Sequence, residues 1–479
     1  MTARRKAAIL GGGVIGGGWL ARFLLNGWDV AVYDPDPQAE RKIGEVLVNA
    51  RRALPMLYEV RLPEEGRLLF CDTLAEAVAD ADWIQESAPE RLDLKHTILA
   101  DIGRHAPETA IVGSSTSGFM PSQLQEGLDR PGAVLVAHPF NPVYLLPLVE
   151  VVPSTRNSAG SVERAVEMLR SIGMFPLVIG KEIDAHIADR LLEAVWREAL
   201  WLVKDGMATT GEIDDAIRYG FGLRWAQMGL FETYRIAGGE AGMKHFLAQF
   251  GPALQWPWTK LMDVPDLTAE LVDTIAAQSD AQSGHMTIRE LERLRDDNLV
   301  AEMRALKGRN AAVGVLLDAH EKTIAQRGAP QAGEPLETIA RIVPVDWTDY
   351  NGHMNESRYG QVFSDAADAV LALIGAGEDY VAAGFSFFTV ETSIKYLAEL
   401  HAGALIRVET VVTEGAGKKL RLSHRLLGAD GTVHATGDQL LIHVSLETRR
   451  ACEPSGAVRD ALETLATSHS ILRPYDPGR

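Results

Sequence analysis

His138 follows the apolar run AVLVA, and Glu150 closes the stretch HPFNPVYLLPLVE twelve residues later. A histidine held by a carboxylate can take the proton of an alcohol, because the carboxylate fixes the ring tautomer and steadies the imidazolium that forms. Upstream, Gly11-Gly12-Gly13-Val14-Ile15-Gly16 satisfies G-x-G-x-x-G. A turn without side chains lets backbone N–H groups and a helix N-terminus approach a pyrophosphate. Asp34 ends the next strand-like run, where a carboxylate accepts from an adenosine ribose 2′-hydroxyl and repels a 2′-phosphate. NAD is thereby favoured over NADP. Taken singly, each feature has a plainer reading, a structural histidine or a tight glycine turn, and their joint occurrence is what points to hydride chemistry.

Such groups need a scaffold. From Lys6 to Asp34 the chain reads strand (Ala7 to Leu10), glycine turn, apolar helix ending near Asn26-Gly27, and strand (Asp29 to Tyr33), which is a βαβ unit. Further strand-like runs at Trp83-Ile84, Ala110 to Val112, Ala133 to Ala137 and Pro176 to Ile179 predict a doubly wound sheet over residues 1–184. Helical periodicity dominates 185–326, predicting an all-helical second domain. RGAPQAGEPLE (327–337) has linker composition. Beyond it, segments alternating in Val, Ile, Thr and Phe, with one helix near Tyr359 to Gly375, predict an antiparallel sheet curved around a helix over 338–460, then a tail, 461–479.

Bulk properties set limits. The 479 residues suit two or three domains, and 46% hydrophobic with 23% charged residues is an ordinary globular balance. A net charge of -18 argues against nucleic acid and anionic membrane as partners. Cys71 and Cys452, far apart, support neither a disulfide framework nor a metal site and fit a reducing cytoplasm. The opening MTARRKAAILGGG reads as no signal peptide, and no apolar run reaches the roughly 20 residues of a membrane span.

Five motifs in order, GGGVIG, QESAPERLDLK, SSTSGF, HPFNPVYLLPLVE and ADRLLEAVWREA, resemble the 3-hydroxyacyl-CoA dehydrogenase family across roughly residues 5–320. The resemblance implies a Rossmann domain joined to an all-helical domain, with His138 as general base and Glu150 orienting it. It also implies that Ser117 meets the substrate oxygen, that Phe140 and Asn141 line the substrate site, and that Glu90 and Lys95 lie near the nicotinamide ribose. Gly11, Gly13, Val14, Ile15, Gly16 and Asp34 would hold NAD. In the acyl-CoA enzymes an Asn stands where this chain has Asp189. An ionised carboxylate cannot donate to a developing carbonyl oxygen, so Asp189 is either protonated, or turned to another task such as facing a cationic substrate, or merely paired on its helix.

Aromatic residues, only 7% overall, concentrate in the strip 221–258: Phe221, Trp225, Phe231, Tyr234, Trp256 and Trp258. A quaternary ammonium has no N–H to donate and is recognised by aromatic faces and carboxylates. That suits carnitine, with Trp225, Phe231 and Tyr234 as substrate contacts; core or dimer packing is the plainer reading of at least half the strip. Arg224 is a candidate partner for a substrate carboxylate. L-Gulonate or a 3-hydroxyacyl-CoA are the alternatives.

VPVDWTDYNGHMNESRYGQVF resembles the entry segment of hotdog thioesterases of the 4-hydroxybenzoyl-CoA type, with D-x-x-G-H-x-N running from Asp349 to Asn355, and the likeness covers about 338–455. It implies an α+β hotdog domain acting on an acyl-CoA thioester. Asp349 would be nucleophile or general base, and His353 and Asn355 would position water or substrate; a turn that only caps the helix is the alternative. The fusion implies betainyl-CoA as the thioester. Both families imply at least a homodimer.

Overall fold

The computed structural model describes residues 4–58, 60–237, 246–248, 259, 266, 268–325, 333–454, 456–472 and 474–475. The chain divides into two compact units: Met1–Arg51 with Glu64–His320, and Arg52–Pro63 with Glu321–Arg479.

The first unit is built on an eight-stranded sheet in the order β3-β2-β1-β4-β5-β6-β7-β8. Its strands are β1 (Lys6–Leu10), β2 (Asp29–Tyr33), β3 (Leu68–Phe70), β4 (Trp83–Glu86), β5 (Ile111–Ser114), β6 (Val134–Pro139), β7 (Leu148–Val152) and β8 (Phe175–Val178). Pairing is parallel except between β6 and β7. The near-continuous apolar strands are those of a sheet covered on both faces. Trp19 and Phe23, from the Val14–Leu25 helix, pack on Trp83 with ring centroids 6.5 and 6.2 Å away, and all three are fully buried. Strand β7 carries three prolines just upstream in HPFNPVYLLP, and its antiparallel run is not among the strands expected from the sequence. Beyond β8 the unit is helical, with helices at Ala188–Lys204, Thr210–Ala216, Gly222–Ala237, Ala269–Ser283, Ile288–Lys307 and Val313–Ala325.

In the second unit the main path is β10-β13-β12-β11-β9, all antiparallel, from β9 (Leu336–Ile342), β10 (Phe385–Tyr396), β11 (Leu405–Ala416), β12 (Lys419–Gly428) and β13 (Val433–Ser445), with the short β14 (Arg450–Ala451) paired to β13. The Glu356–Leu373 helix lies against this sheet, burying Tyr359, Val362, Phe363 and Ala366 among Ile406, Val408 and Leu426. This is the hotdog arrangement of one helix wrapped by a curved sheet. Strand β9 begins inside the 327–337 segment, and a helix, Gly456–Ser468, packs on β11 where the sequence suggested the start of a tail.

Candidate active sites

Strands β6 and β7 pair so that His138 stands directly opposite Glu150. Cross-strand partners lie close enough for side chains to meet without ordering a loop. His138 Nδ1 is 3.0 Å from Glu150 Oε2, so Nδ1 carries the ring proton and donates it to the carboxylate oxygen as a hydrogen bond. The other ring nitrogen, Nε2, faces Ser117 Oγ at 3.2 Å and Asp189 Oδ2 at 3.7 Å. His138 is 5% exposed and Glu150 not at all. Phe140 sets its ring edge-on to the imidazole, centroids 5.0 Å apart.

The second oxygen of Glu150 accepts the backbone N–H groups of Ile187 (2.9 Å) and Ala188 (2.8 Å), the start of the Ala188–Lys204 helix. That helix has no side-chain cap of its own, so a carboxylate from the sheet satisfies its free N–H groups. Burial pushes the Glu150 carboxyl up, but the bonds from His138, Ala188 and Ile187 outweigh it and hold its pKa below the ordinary glutamate value. The same docking fixes Asp189 in the first turn. Burial raises the pKa of Asp189, against the pull of His138.

Behind Ser117 lies a second polar chain. Glu90 Oε1 accepts from Gly118 N–H at 3.0 Å and from the Thr116 hydroxyl, and Glu90 Oε2 lies 3.3 Å from Lys95 Nζ. For Glu90, burial raises the pKa and these partners lower it further, leaving it depressed. Lys95, 1% exposed, faces inward to Glu86 at 2.9 and 3.1 Å, and Ser114 donates to the same carboxylate. Glu86 was not singled out from the sequence, although a carboxylate in the buried strand WIQE demands a cation. His186 was also missed. It is fully buried in the left-handed region (φ 50°), its Nε2 3.2 Å from the Thr116 carbonyl and its ring 5.5 Å from His138. Its Nδ1 has no partner among the described residues, and burial pulls its pKa down, disfavouring the charged form.

The glycine turn leads from β1 into the Val14–Leu25 helix. Gly11 has φ +101°, and a Cβ there would stand 2.6 Å from the Ser87 carbonyl oxygen. A Cβ on Gly16 would meet the Gly11 carbonyl oxygen at 1.8 Å, whereas one on Gly13 would meet nothing within 4 Å. The turn is therefore closed behind and open in front, with Val14 exposed beside it, Ile15 partly buried, and Asn141 on the wall of the same cleft. Asp34 accepts from the Gly12 and Asp36 N–H groups, which aim its carboxylate at this opening. These features fit the pyrophosphate and adenosine ribose of NAD.

The expected aromatic contacts are not gathered at His138. Trp225 pairs with Phe221 (4.6 Å) and Tyr234 with Phe246 (4.6 Å), while Phe231 is 74% exposed. Among the described residues no ring contact or hydrogen bond joins Trp225, Phe231 or Tyr234 to His138, and Arg224 is exposed. Trp256 and Trp258 lie outside the described residues.

In the second unit Asp349 turns back on its own loop. Its Oδ1 accepts from Asn351 N (2.8 Å) and His353 N (3.3 Å), with Gly352 at φ +80° completing the turn. Slight burial raises the carboxyl, and these backbone bonds bring it below its ordinary value. Asn355 caps the Glu356–Leu373 helix by accepting from Ser357 N at 3.0 Å. His353 Nε2 points to Glu399 Oε2 at 3.3 Å, and His401 holds Gly352 O through Nδ1 at 3.1 Å. Asp349 and His353 thus share a turn but not a side-chain bond.

Both units resemble known proteins. The description of the 3-hydroxyacyl-CoA dehydrogenase NAD-binding domain matches residues 6–183, that of the C-terminal domain of the same enzymes residues 186–274, and that of the thioesterase-like superfamily residues 343–462. A Ruegeria pomeroyi protein named L-carnitine dehydrogenase/betainyl-CoA thioesterase is 62% identical, with 97% of this chain and 96% of that one aligned. An Agrobacterium fabrum protein of the same name is 58% identical, covering 96% and 94%. Among solved structures, an NAD+-dependent 5-formyl-3-hydroxy-2-methylpyridine 4-carboxylic acid 5-dehydrogenase aligns with TM-score 0.54 and 27% identity over 64% of this chain and 99% of its own. The chain belongs to the 3-hydroxyacyl-CoA dehydrogenase family, among those members in which that enzyme is continuous with a thioesterase-like domain.

Proposed function

We infer that the chain oxidises L-carnitine to 3-dehydrocarnitine with NAD and hydrolyses betainyl-CoA to glycine betaine and CoA. The observation that carries the reading is full-length identity of 62% to a relative bearing both activities in its name. The His138–Glu150 geometry supports it. In the first reaction Ser117 holds the substrate hydroxyl against His138, whose free Nε2 takes the proton while Glu150 steadies the charged ring. Bound NAD supplies the hydride acceptor, seated on the Gly11–Gly16 turn with Asp34 at its adenosine ribose. Glu90, tied to Lys95, shapes the Thr116–Gly118 turn that presents Ser117. Phe140 and Asn141 line the approach. Steady-state oxidation with NAD tests the reading: L-carnitine should be preferred, and faster turnover of L-gulonate or 3-hydroxybutyryl-CoA would overturn it.

In the second reaction Asp349 attacks the thioester carbonyl or activates water, His353 positions the reactant, and the first turn of the Glu356–Leu373 helix faces the developing oxyanion. Hydrolysis of betainyl-CoA well above that of fatty acyl-CoAs is the expected result. The reading includes a cytoplasmic homodimer. Leu191, Leu192 and Trp196 leave an apolar face of the Ala188–Lys204 helix exposed, and sedimentation should give twice the chain mass. Residues 1–184 and 185–326 form the dehydrogenase and 338–460 the thioesterase, so proteolysis within 327–337 should release both.

A further inference from the structure

We propose that Asp189 forms the anionic wall of a subsite for a quaternary ammonium borne on the carbon next to the alcohol carbon. The proposal rests on the dehydrogenase reading above and assigns its substrate charge to one side chain. Two carboxylates flank His138, and their situations differ. Glu150 is fully committed, one oxygen to Nδ1 of His138 and the other to two helix N–H groups. Asp189 accepts none of the described hydrogen bonds, and His138 is the one basic side chain within 4 Å of it among the described residues. A carboxylate with 19% side-chain exposure and no Lys or Arg within 4 Å among the described residues is costly to keep, which is the situation a cationic ligand relieves.

Distance selects the cation. Asp189 Oδ2 lies 3.7 Å from Nε2, the nitrogen that receives the hydroxyl proton. In a 3-hydroxy-4-trimethylammonio acid the ammonium nitrogen is three bonds of about 1.5 Å from the hydroxyl oxygen. Placing that oxygen between Ser117 and Nε2 brings the trimethylammonium within reach of Asp189. Such a cation offers no N–H, so its partner needs charge and proximity rather than a directed hydrogen bond. His186 beside it, whose burial disfavours the charged form, has its buried Nδ1 without a partner among the described residues. An acid whose carbon 4 is uncharged leaves Asp189 uncompensated and is rejected by the same geometry.

The rival role for Asp189 is to stabilise the imidazolium, which serves every alcohol equally. Full-length protein with NAD should therefore be assayed with L-carnitine and with its neutral carbon isostere, 3-hydroxy-5,5-dimethylhexanoate. The parent should favour L-carnitine by roughly 30-fold or more in kcat/KM, as expected of one partly buried charge pair. In Asp189→Asn that preference should shrink to about threefold, through a KM for L-carnitine that rises well beyond any change for the isostere. An equal fall for both substrates, or an unchanged preference, overturns the subsite and leaves the L-carnitine assignment standing. A parent that favours the isostere, or oxidises neither, removes that assignment and the subsite with it. Circular dichroism and NAD binding check the fold of the variant, and Asp189→Ser takes its place if Asn does not fold.

Discussion

His138 and His353 each face a glutamate at hydrogen-bonding distance, 3.0 Å to Glu150 and 3.3 Å to Glu399, yet the two pairs are physically unlike. In the first, the side chains are 6% and 0% exposed and project from strands in direct register. In the second they are 35% and 72% exposed, one on a turn and the other in the loop after β10. Burial lowers the local dielectric, so the first pair acts strongly and removing one partner strands a charge. Water screens the second, which is worth little. The proposed dehydrogenase site is thus prefabricated by the sheet, while the proposed thioesterase site relies on a turn whose carboxylate, Asp349, is held by backbone.

The hardest blow to this contrast would come from His138. His138→Gln keeps a side chain of similar reach but cannot accept the proton, so kcat/KM for the alcohol should fall about 10³-fold or more. NAD affinity and thioester hydrolysis should stay within about twofold of the parent. Stopped-flow hydride transfer reads the first and a coupled CoA assay the second. Retained alcohol oxidation would mean that the buried pair is only structural.

Asp349→Asn sharpens the other half. The amide oxygen can still accept from Asn351 and His353 N–H, so the turn survives and any loss is chemical. Thioester hydrolysis should fall about 100-fold, with alcohol oxidation untouched. Unchanged hydrolysis would remove Asp349 from the mechanism.

How far the sequence disclosed these sites follows from their local or tertiary character. Gly11–Gly16, Asp34 and the D-x-x-G-H-x-N turn are local patterns, and each folds as a compact turn closed by its own backbone bonds. His138 and Glu150 were legible as a pair, but their register was not, because the prolines before β7 mask a strand. Glu86 and Lys95 meet only after folding, and the one signal was a carboxylate within an otherwise apolar strand. His186 gave none, since an imidazole in left-handed backbone is decided by the loop docking on Thr116. The aromatic strip was legible by composition alone. Composition suggested a cage, and packing sends Trp225 to Phe221 and Tyr234 to Phe246.

Acid should weaken the hotdog unit. His424 is fully buried between Thr410 Oγ1 (2.8 Å) and Gln439 Oε1 (3.2 Å), stacked on Phe363, and burial pulls its pKa down from 6.5 to about 4. Between those values the unfolded chain binds a proton that the folded one refuses, so the stabilisation is complete above pH 6.5 and is lost as pH falls. From pH 6.5 to 5 the cost is roughly 2 kcal/mol. Glu150, with its pKa depressed instead, contributes above the ordinary glutamate value of 4.5 and loses that only as pH drops through its lower folded value. The hotdog unit should therefore melt progressively earlier from pH 7.5 to 5 by calorimetry. His424→Gln should flatten that dependence, and an equally steep curve in the variant would place the acid sensitivity elsewhere.

The smallest expected effect closes the comparison from the side of the exposed pair. Glu150→Gln and Glu399→Gln make the same chemical change beside two histidines. The first removes the charge that steadies a buried imidazolium and leaves one amide oxygen for either Nδ1 or the helix N–H groups, with its NH2 facing donors on the other side, so alcohol oxidation should drop about 10- to 100-fold or more. The second removes a screened surface partner worth under about 1 kcal/mol, so thioester hydrolysis should change by no more than about threefold. Raising the ionic strength from 0.05 to about 0.5 M should erase even that difference, since exposed pairs are screened over about a Debye length. A Glu399→Gln loss as large as that of Glu150→Gln, and insensitive to salt, would show that His353 acts in a closed, water-poor site and that the two units are built on the same plan after all.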